Sequence, residues 1–255
     1  MAGHSKWANI KRQKARVDAK KGNVFTKISR EIIVAARQGV PNPEGNFQLR
    51  VAIEKAKAAG VPKDNIERAI AKGAGTYDGA DSLEEVRYEG YGPGGVAVLI
   101  EALTDNRNRT AADLRAAFSK NGGNLGETGC VSWMFAQKGV ATITGDFTDE
   151  ERLLDASLEG GAESYEPLMD EDDRPLMEVF TEVTNLENLT QVLKARGYEL
   201  TGAELRWIPG NTLEVTEAEQ AKVLLKLMDA LDSLDDVQTV TANFEMTEDL
   251  MAASF

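Results

Sequence analysis

Residues 62–100 read PKDNIERAIAKGAGTYDGADSLEEVRYEGYGPGGVAVLI, and the change of pattern inside this stretch sets the architecture. Pro62 suits the first turn of a helix, where its fixed φ fits and its missing N–H would have no partner anyway. Ile66, Ala69 and Ile70 then recur at helical spacing as far as Gly73. Gly73, Gly75 and Gly79 form a linker. Beyond it Val86 and Tyr88 alternate with polar neighbours, as in a half-buried strand. Val96–Ile100 is an unbroken apolar run suited to a buried strand. Helical sequence therefore gives way to mixed sequence near residue 75.

Toward the amino terminus, Asn23 predicts the cap of a helix running to about Gln38. Val24, Ile28, Ile32 and Ala36 repeat at i+4, and Phe25, Ile33 and Ala35 broaden the stripe. Lys27, Arg30 and Arg37 fall off that stripe, and Gly39, Pro41 and Pro43 end the helix. A second helix places Leu49, Ile53 and Ala56 on one face and stops at Gly60. Three helices in about 70 residues make a small bundle. Ahead of them Met1–Gly22 is polar, with only Trp7, Ile10 and Val17 as sparse apolar positions. That pattern is compatible with partial helix or with a segment that orders on binding.

Toward the carboxyl terminus, Thr110 with Asp113 resembles a capping box for a helix carrying Leu114, Ala117 and Phe118. Asn121-Gly122-Gly123 closes it. Val131–Phe135 and Val140–Ile143 read as strands separated by a turn at Lys138-Gly139. Helical signals recur at about 148–160, 185–196 and 216–232, and strand signals near 176–183, 199–207 and 236–244. Such alternation argues for α/β or α+β lobes. Asp170–Asp173, followed by Arg174-Pro175, reads as a solvated loop. Leu224, Leu227, Leu231 and Leu234 read as a core stripe, too short for a coiled coil.

Charge divides the chain more sharply than hydropathy does. Residues 1–72 hold sixteen Lys and Arg against six Asp and Glu, whereas residues 73–255 hold thirteen against thirty-six. The overall −13 thus hides a basic end of +10 on an acidic body of −23. That asymmetry points to a polyanion-binding end, with the body repelling nucleic acid and confining contact to one face. The bland alternative is a basic unit that neutralises its acidic neighbours. The 255 residues are 42% hydrophobic, enough for one to three cored domains. The apolar runs are too short to cross a bilayer. No apolar h-region is present near the start, so a cytoplasmic chain with no membrane partner is expected. Cys130 and His4 are the only residues of their kinds, which excludes an intramolecular disulfide and a Cys/His zinc site. No cofactor and no metal are expected.

Several long motifs stand in register. They are MAGHSKWANI at residues 1–10, Asp18-Ala19-Lys20-Lys21-Gly22, Phe25-Thr26-Lys27 and PKDNIERAI at 62–70. YEGYGPGG follows at 88–95, TDNRNRT at 104–110 and FSKNGGNLG at 118–126. Together they strongly resemble the YebC/PmpR family. The resemblance implies an α+β, multidomain fold: an N-terminal three-helix domain followed by two α/β domains, the third inserted into the second. It places a basic helical domain at 1–75, a discontinuous middle domain at 76–135 and 207–255, and an inserted acidic domain at 136–206. It also implies a non-enzymatic regulator. Family members are described as probable DNA-binding transcriptional regulators; others resemble translational activators acting at the ribosome. The expected partner is therefore nucleic acid, either DNA or RNA in the context of the ribosome.

The candidate contacts follow from the charge. Lys6, Lys11, Arg12, Lys14, Arg16, Lys20, Lys21, Lys27 and Arg30 can neutralise phosphates and release counterions, or form an ordinary solvated face. Trp7 can stack on an unpaired base or pin the segment to the bundle. Arg107 and Arg109, at the mouth of a helix, can hold a phosphate; alternatively, Asp and Asn cap the helix while the arginines pair with acids. His4 lacks the supporting groups of a general base. Gly90–Gly95 spells G-x-G-x-x-G, yet a strand follows it, so a glycine-rich hairpin connection is favoured over a dinucleotide site. A nucleotide-binding enzyme would need that turn to lead into a helix.

Overall fold

The computed structural model describes residues 21–76, 83–147, 149–170 and 174–253. The first unit is built from α1 (Lys21–Gln38), α2 (Phe47–Ala58) and α3 (Lys63–Gly73). The stripe read from the sequence is its core: Ile28, Ile32, Leu49, Ile53, Ala56, Ile66 and Ala69 are all buried together. The described part of α1 already holds Lys21 and Gly22, so Asn23 lies within the helix and is not its cap. Asn46 is the cap of α2. Its Oδ1 accepts from the Leu49 N–H at 3.0 Å, and its Nδ2 donates to the carbonyls of Ala35 at 2.7 Å and Val40 at 3.0 Å. One buried amide thus fixes the α1–α2 corner. Gly73 lets α3 approach α1: a Cβ there would stand 2.5 Å from the Ile33 carbonyl oxygen.

The second unit starts with the hairpin β1 (Glu84–Tyr91) and β2 (Ala97–Thr104). The glycine-rich stretch is its turn, and Gly94 and Gly95 adopt φ of 73° and 81° there. It leads into β2, as expected of a hairpin. Helix α4 (Arg107–Lys120) and the short β3 (Asn124–Leu125) follow. The chain then leaves to build β4 (Phe135–Thr144), α5 (Glu150–Glu159), β5 (Ala162–Met169), β6 (Pro175–Glu182), α6 (Leu186–Ala195) and β7 (Glu199–Pro209). It returns through β8 (Leu213–Glu214), α7 (Ala218–Asp232), β9 (Val237–Ala242), β10 (Phe244–Glu245) and α8 (Glu248–Ala253).

Strand order makes the insertion explicit. One antiparallel sheet runs β3-β1-β2-β9 and the other runs β5-β6-β4-β7, while β8 and β10 form a small parallel pair. The second sheet therefore interrupts the first between β3 and β9. Helices α4 and α7 cover the first sheet with Leu114, Phe118, Leu224, Leu227 and Leu231, and Leu234 packs partly buried against them. Helices α5 and α6 cover the second with Leu153, Ala156, Leu189 and Leu193.

Three local expectations are corrected. Val131–Phe135 is largely a 3-10 turn, Ser132–Met134, and only Phe135 enters β4. No turn breaks β4 at Lys138-Gly139, which pair with Glu182 and Thr181 on β6. Gly139 is glycine because a Cβ there would stand 2.8 Å from the Leu186 Cβ; close packing, not a turn, explains it. Strand β5 was not expected at all. It is an edge strand containing Pro167, with half-buried and exposed residues along it, so it carries neither an apolar run nor clean alternation.

Candidate nucleic-acid interface

Of the cations singled out, Lys6, Lys11, Arg12, Lys14, Arg16 and Lys20 lie outside the described residues, as does Trp7. Lys21 belongs to α1, and its side chain is likewise outside the description. Lys27 and Arg30 stand one turn apart on α1 and face the turn that joins α7 to β9. The Lys27 Nζ donates to the Asp232 carbonyl at 2.6 Å and lies 3.4 Å from Asp232 Oδ1. The Arg30 guanidinium donates to the carbonyls of Asp235 at 2.5 Å and Leu103 at 3.2 Å, and to Asp236 Oδ1 at 3.0 Å. Further exposed cations on this unit are Lys57, Lys63 and Arg68.

Asp236 is the hub of this joint. Its Oδ2 accepts from Arg109 Nη2 at 2.8 Å, from the Thr110 hydroxyl at 2.8 Å and from the Thr104 hydroxyl at 3.1 Å. Its backbone carbonyl accepts from the Leu103 N–H at 2.8 Å. Burial opposes ionisation of this carboxyl, but Arg109, Thr110 and Thr104 outweigh it and hold the pKa below the usual aspartate value. Because the folded value lies below the unfolded one, Asp236 stabilises the fold at neutral pH. That contribution fades as the pH falls through the carboxylate range, below about 4. Thermal melts across pH 3–7 should show an acid loss that is smaller in Asp236→Asn. Identical pH dependence in the two proteins would refute this.

The arginines of the Asp105–Thr110 stretch take the capping arrangement. Helix α4 begins at Arg107, and the Asn106 side chain accepts from the Arg109 N–H at 3.1 Å. The expected capping box at Thr110 is corrected: Thr110 sits within the helix and turns its hydroxyl to Asp236 and to the Thr104 hydroxyl. Arg107 Nε donates to Glu84 at 2.6 Å, and Arg109 also meets Asp105 at 2.7 Å. Both guanidinium groups still reach the surface. A polar cleft of about 810 Å³ runs along the joint between Ser29, Arg30, Lys72, Arg109 and Asp235.

The structure thus brings Arg30 and Arg109 together on one carboxylate and keeps Arg107 apart on Glu84. Sequence reading missed Asp232, Asp236 and Thr104. The acid-rich run Asp229–Asp236 was visible, but nothing local ties it to an α1 cation some 205 positions away. Among the described residues no group of three His, Cys, Asp or Glu could hold a metal ion. No described helix is long and apolar enough to cross a membrane.

Comparison with known proteins closes the question of kinship. Residues 5–76 match the TACO1/YebC protein N-terminal domain, and residues 83–244 match the TACO1/YebC second and third domain. A probable transcriptional regulatory protein of Nostoc sp. strain PCC 7120 is 74% identical over the full length of both chains. A protein of the same description from Trichormus variabilis is 73% identical, again over both full lengths. The crystal structure of a conserved hypothetical protein from Aquifex aeolicus superposes with a TM-score of 0.81 at 47% identity, covering 92% of this chain and 94% of that one. The family resemblance of the motifs, the inserted sheet and these matches agree: the chain belongs to the TACO1/YebC family.

Proposed function

We propose that this chain is a non-enzymatic regulator of gene expression that grips nucleic acid through its basic amino-terminal region. The observation that carries the reading is the charge split, sixteen cationic residues against six acidic ones before residue 73 and thirteen against thirty-six after it. Lys6, Lys11, Arg12, Lys14, Arg16, Lys20 and Lys21 neutralise phosphates in this reading, and Trp7 stacks or pins. Lys27 and Arg30, at the Asp236 joint, are assigned to the same role, with Arg107 and Arg109 as further phosphate or partner contacts. The division of labour follows 1–75 as the binding domain, with 76–135 plus 207–255 and the insert 136–206 as an acidic body that limits contact to one face. Duplex DNA is the partner favoured by the description of the relatives as probable transcriptional regulatory proteins.

The test is a salt titration of binding to labelled duplex DNA. Changing Lys11, Arg12 and Lys14 together to glutamine should weaken binding at least about ten-fold and flatten the salt dependence by about 0.9 per lost contact. A folded triple variant that binds as tightly as the parent rejects the reading. Crosslinking in cells with sequencing of the attached nucleic acid should return discrete chromosomal sites. Enrichment of ribosomal RNA instead would move the regulator from the promoter to the ribosome.

A further inference from the structure

The turn that meets α1 is unusual in its charge. Asp229, Asp232, Asp235 and Asp236 fall within eight residues at the end of α7, and that helix has no basic residue in its last turn. A helix carboxyl terminus already bears partial negative charge and favours nearby cations. Here the cations come from another unit, through Lys27 and Arg30 on α1. The groups they meet are all oxygens: two carboxylates and the carbonyls of Leu103, Asp232 and Asp235. Lysine and arginine meet the oxygens of a phosphodiester with these same N–H donors, and Arg30 here uses only Nη1 of its fork.

We propose that the segment Asp232–Asp236 is an intramolecular substitute for phosphate, covering the inner end of the basic surface until nucleic acid displaces it. This rests on the nucleic-acid reading above and adds its regulation. The side chains of Lys27 and Arg30 are 16% and 19% exposed, so the pairs are shielded, and the polar cleft lined by Arg30, Asp235 and Asp236 gives a strand access to the Arg30 pair. Leaving is cheap for the acid that remains. When Arg30 departs, Asp236 keeps Arg109, Thr104 and Thr110, so no buried charge is stranded. The departing Arg30 and Lys27 exchange oxygens of the protein for oxygens of the ligand. Elsewhere the first unit is held partly by exposed polar contacts, Gln38 with Glu85 and Arg50 with Glu187, which water can replace. Phe47 and Val51 pack on the second sheet, so this end of α1 can lift without full separation of the units.

The experiment uses the full chain with fluorescein-labelled duplex DNA and a labelled RNA hairpin as probes. Asp232→Asn and Asp236→Asn should each bind about five-fold tighter, the size expected for losing one partly screened competing pair. Asp232→Asn removes a negative charge from a helix carboxyl terminus, so the fold should tolerate it even if Asp236→Asn does not fold. Asp155→Asn, an exposed acid on α5, is the matched control and should bind as the parent does. In a Cys130→Ser background, spin labels at the exposed positions Lys57 and Glu219 should move apart when the parent is saturated with probe. Tightening in every one of these variants that folds, Asp232→Asn included, and lengthening in the parent are both required. Folded Asp232→Asn with parental affinity, equal tightening in the control, or an unchanged label distance each overturns the latch. If the parent binds neither probe in a salt-dependent way, the proposed function itself fails. If binding depends on Lys11, Arg12 and Lys14 but ignores Asp232, only the latch fails.

Discussion

Arg206→Ala is expected to destabilise the protein by about 3–5 kcal/mol, because it takes a two-bond guanidinium fork away from a buried carboxylate. Arg206 on β7 forms a fork across β4 to Glu178 on β6, with Nη1 and Nη2 each 2.9 Å from one carboxylate oxygen. The Glu178 side chain is only 4% exposed. A further bond of 2.6 Å joins Arg206 to Glu204. Burial works against the guanidinium charge, but Glu204 and Glu178 more than reverse that and raise its pKa above the usual arginine value. The pair lies on the sheet face opposite α5 and α6, which it shares with Val140 and Phe180 and with the polar Lys138 and Thr142. Removing Arg206 takes both fork bonds from Glu178, whose side chain stays buried. Replacing both with methionine should recover most of the loss, since a matched apolar pair carries no desolvation cost. Urea melts of the single and double variants decide the matter. A loss below about 1 kcal/mol for Arg206→Ala would mean that water reaches Glu178.

Glu89→Gln is expected to cost about 2–4 kcal/mol, from the value of charge-assisted bonds and the penalty on donors left unpaired. Glu89 on β1 is 3% exposed, and its carboxylate accepts from the backbone N–H groups of Gly129 at 2.8 Å, Val131 at 2.7 Å and Ser132 at 2.8 Å. Burial opposes its ionisation, yet these three donors prevail and hold its pKa below the ordinary glutamate value. Glutamine keeps one acceptor oxygen and turns an NH₂ toward amides that also donate. The loop so held carries the chain from the first sheet into the second. It also presents Trp133, 74% exposed, whose Nε1 donates to the Cys130 carbonyl at 3.1 Å. Hydrogen exchange at Gly129, Val131 and Ser132 should accelerate in Glu89→Gln before global unfolding does. Unchanged protection there would show that the carboxylate does not hold the loop.

The helical unit was legible because its stability comes from one apolar stripe at a fixed period. Ile28, Ile32, Leu49 and Ile66 announce themselves by spacing alone. The leucines of α7 were legible for the same reason, and Val96–Ile100 because an unbroken apolar run marks a buried strand. Misreadings arose where a local signal was answered by a distant partner. Gly139 looks like a turn until Leu186 is seen packed over it. Thr110 looks like a cap until Asn106 takes that role and Asp236 takes its hydroxyl. Strand β5 was illegible because an edge strand need not bury a full face. The cationic excess of the amino-terminal region was readable as charge, but the partners of its cations were not. Lys27 and Arg30 look like any other cations in the sequence, and only the fold shows the aspartates they meet.

Insertion of one sheet within the other has a consequence for how the chain is made. Ala97 N–H donates to the Asn243 side chain 146 residues later, and β2 gains its neighbour β9 only from that same distant segment. A polypeptide emerging from the ribosome can finish its helical bundle, and then its inserted sheet, while the β1–β2 hairpin still shows a naked edge. That edge is the run Ala97–Ile100, the most apolar strand of the molecule, and unpaired apolar edges are where nascent chains stick to one another. Truncated or stalled products ending before Val237 are therefore the species most in need of a chaperone.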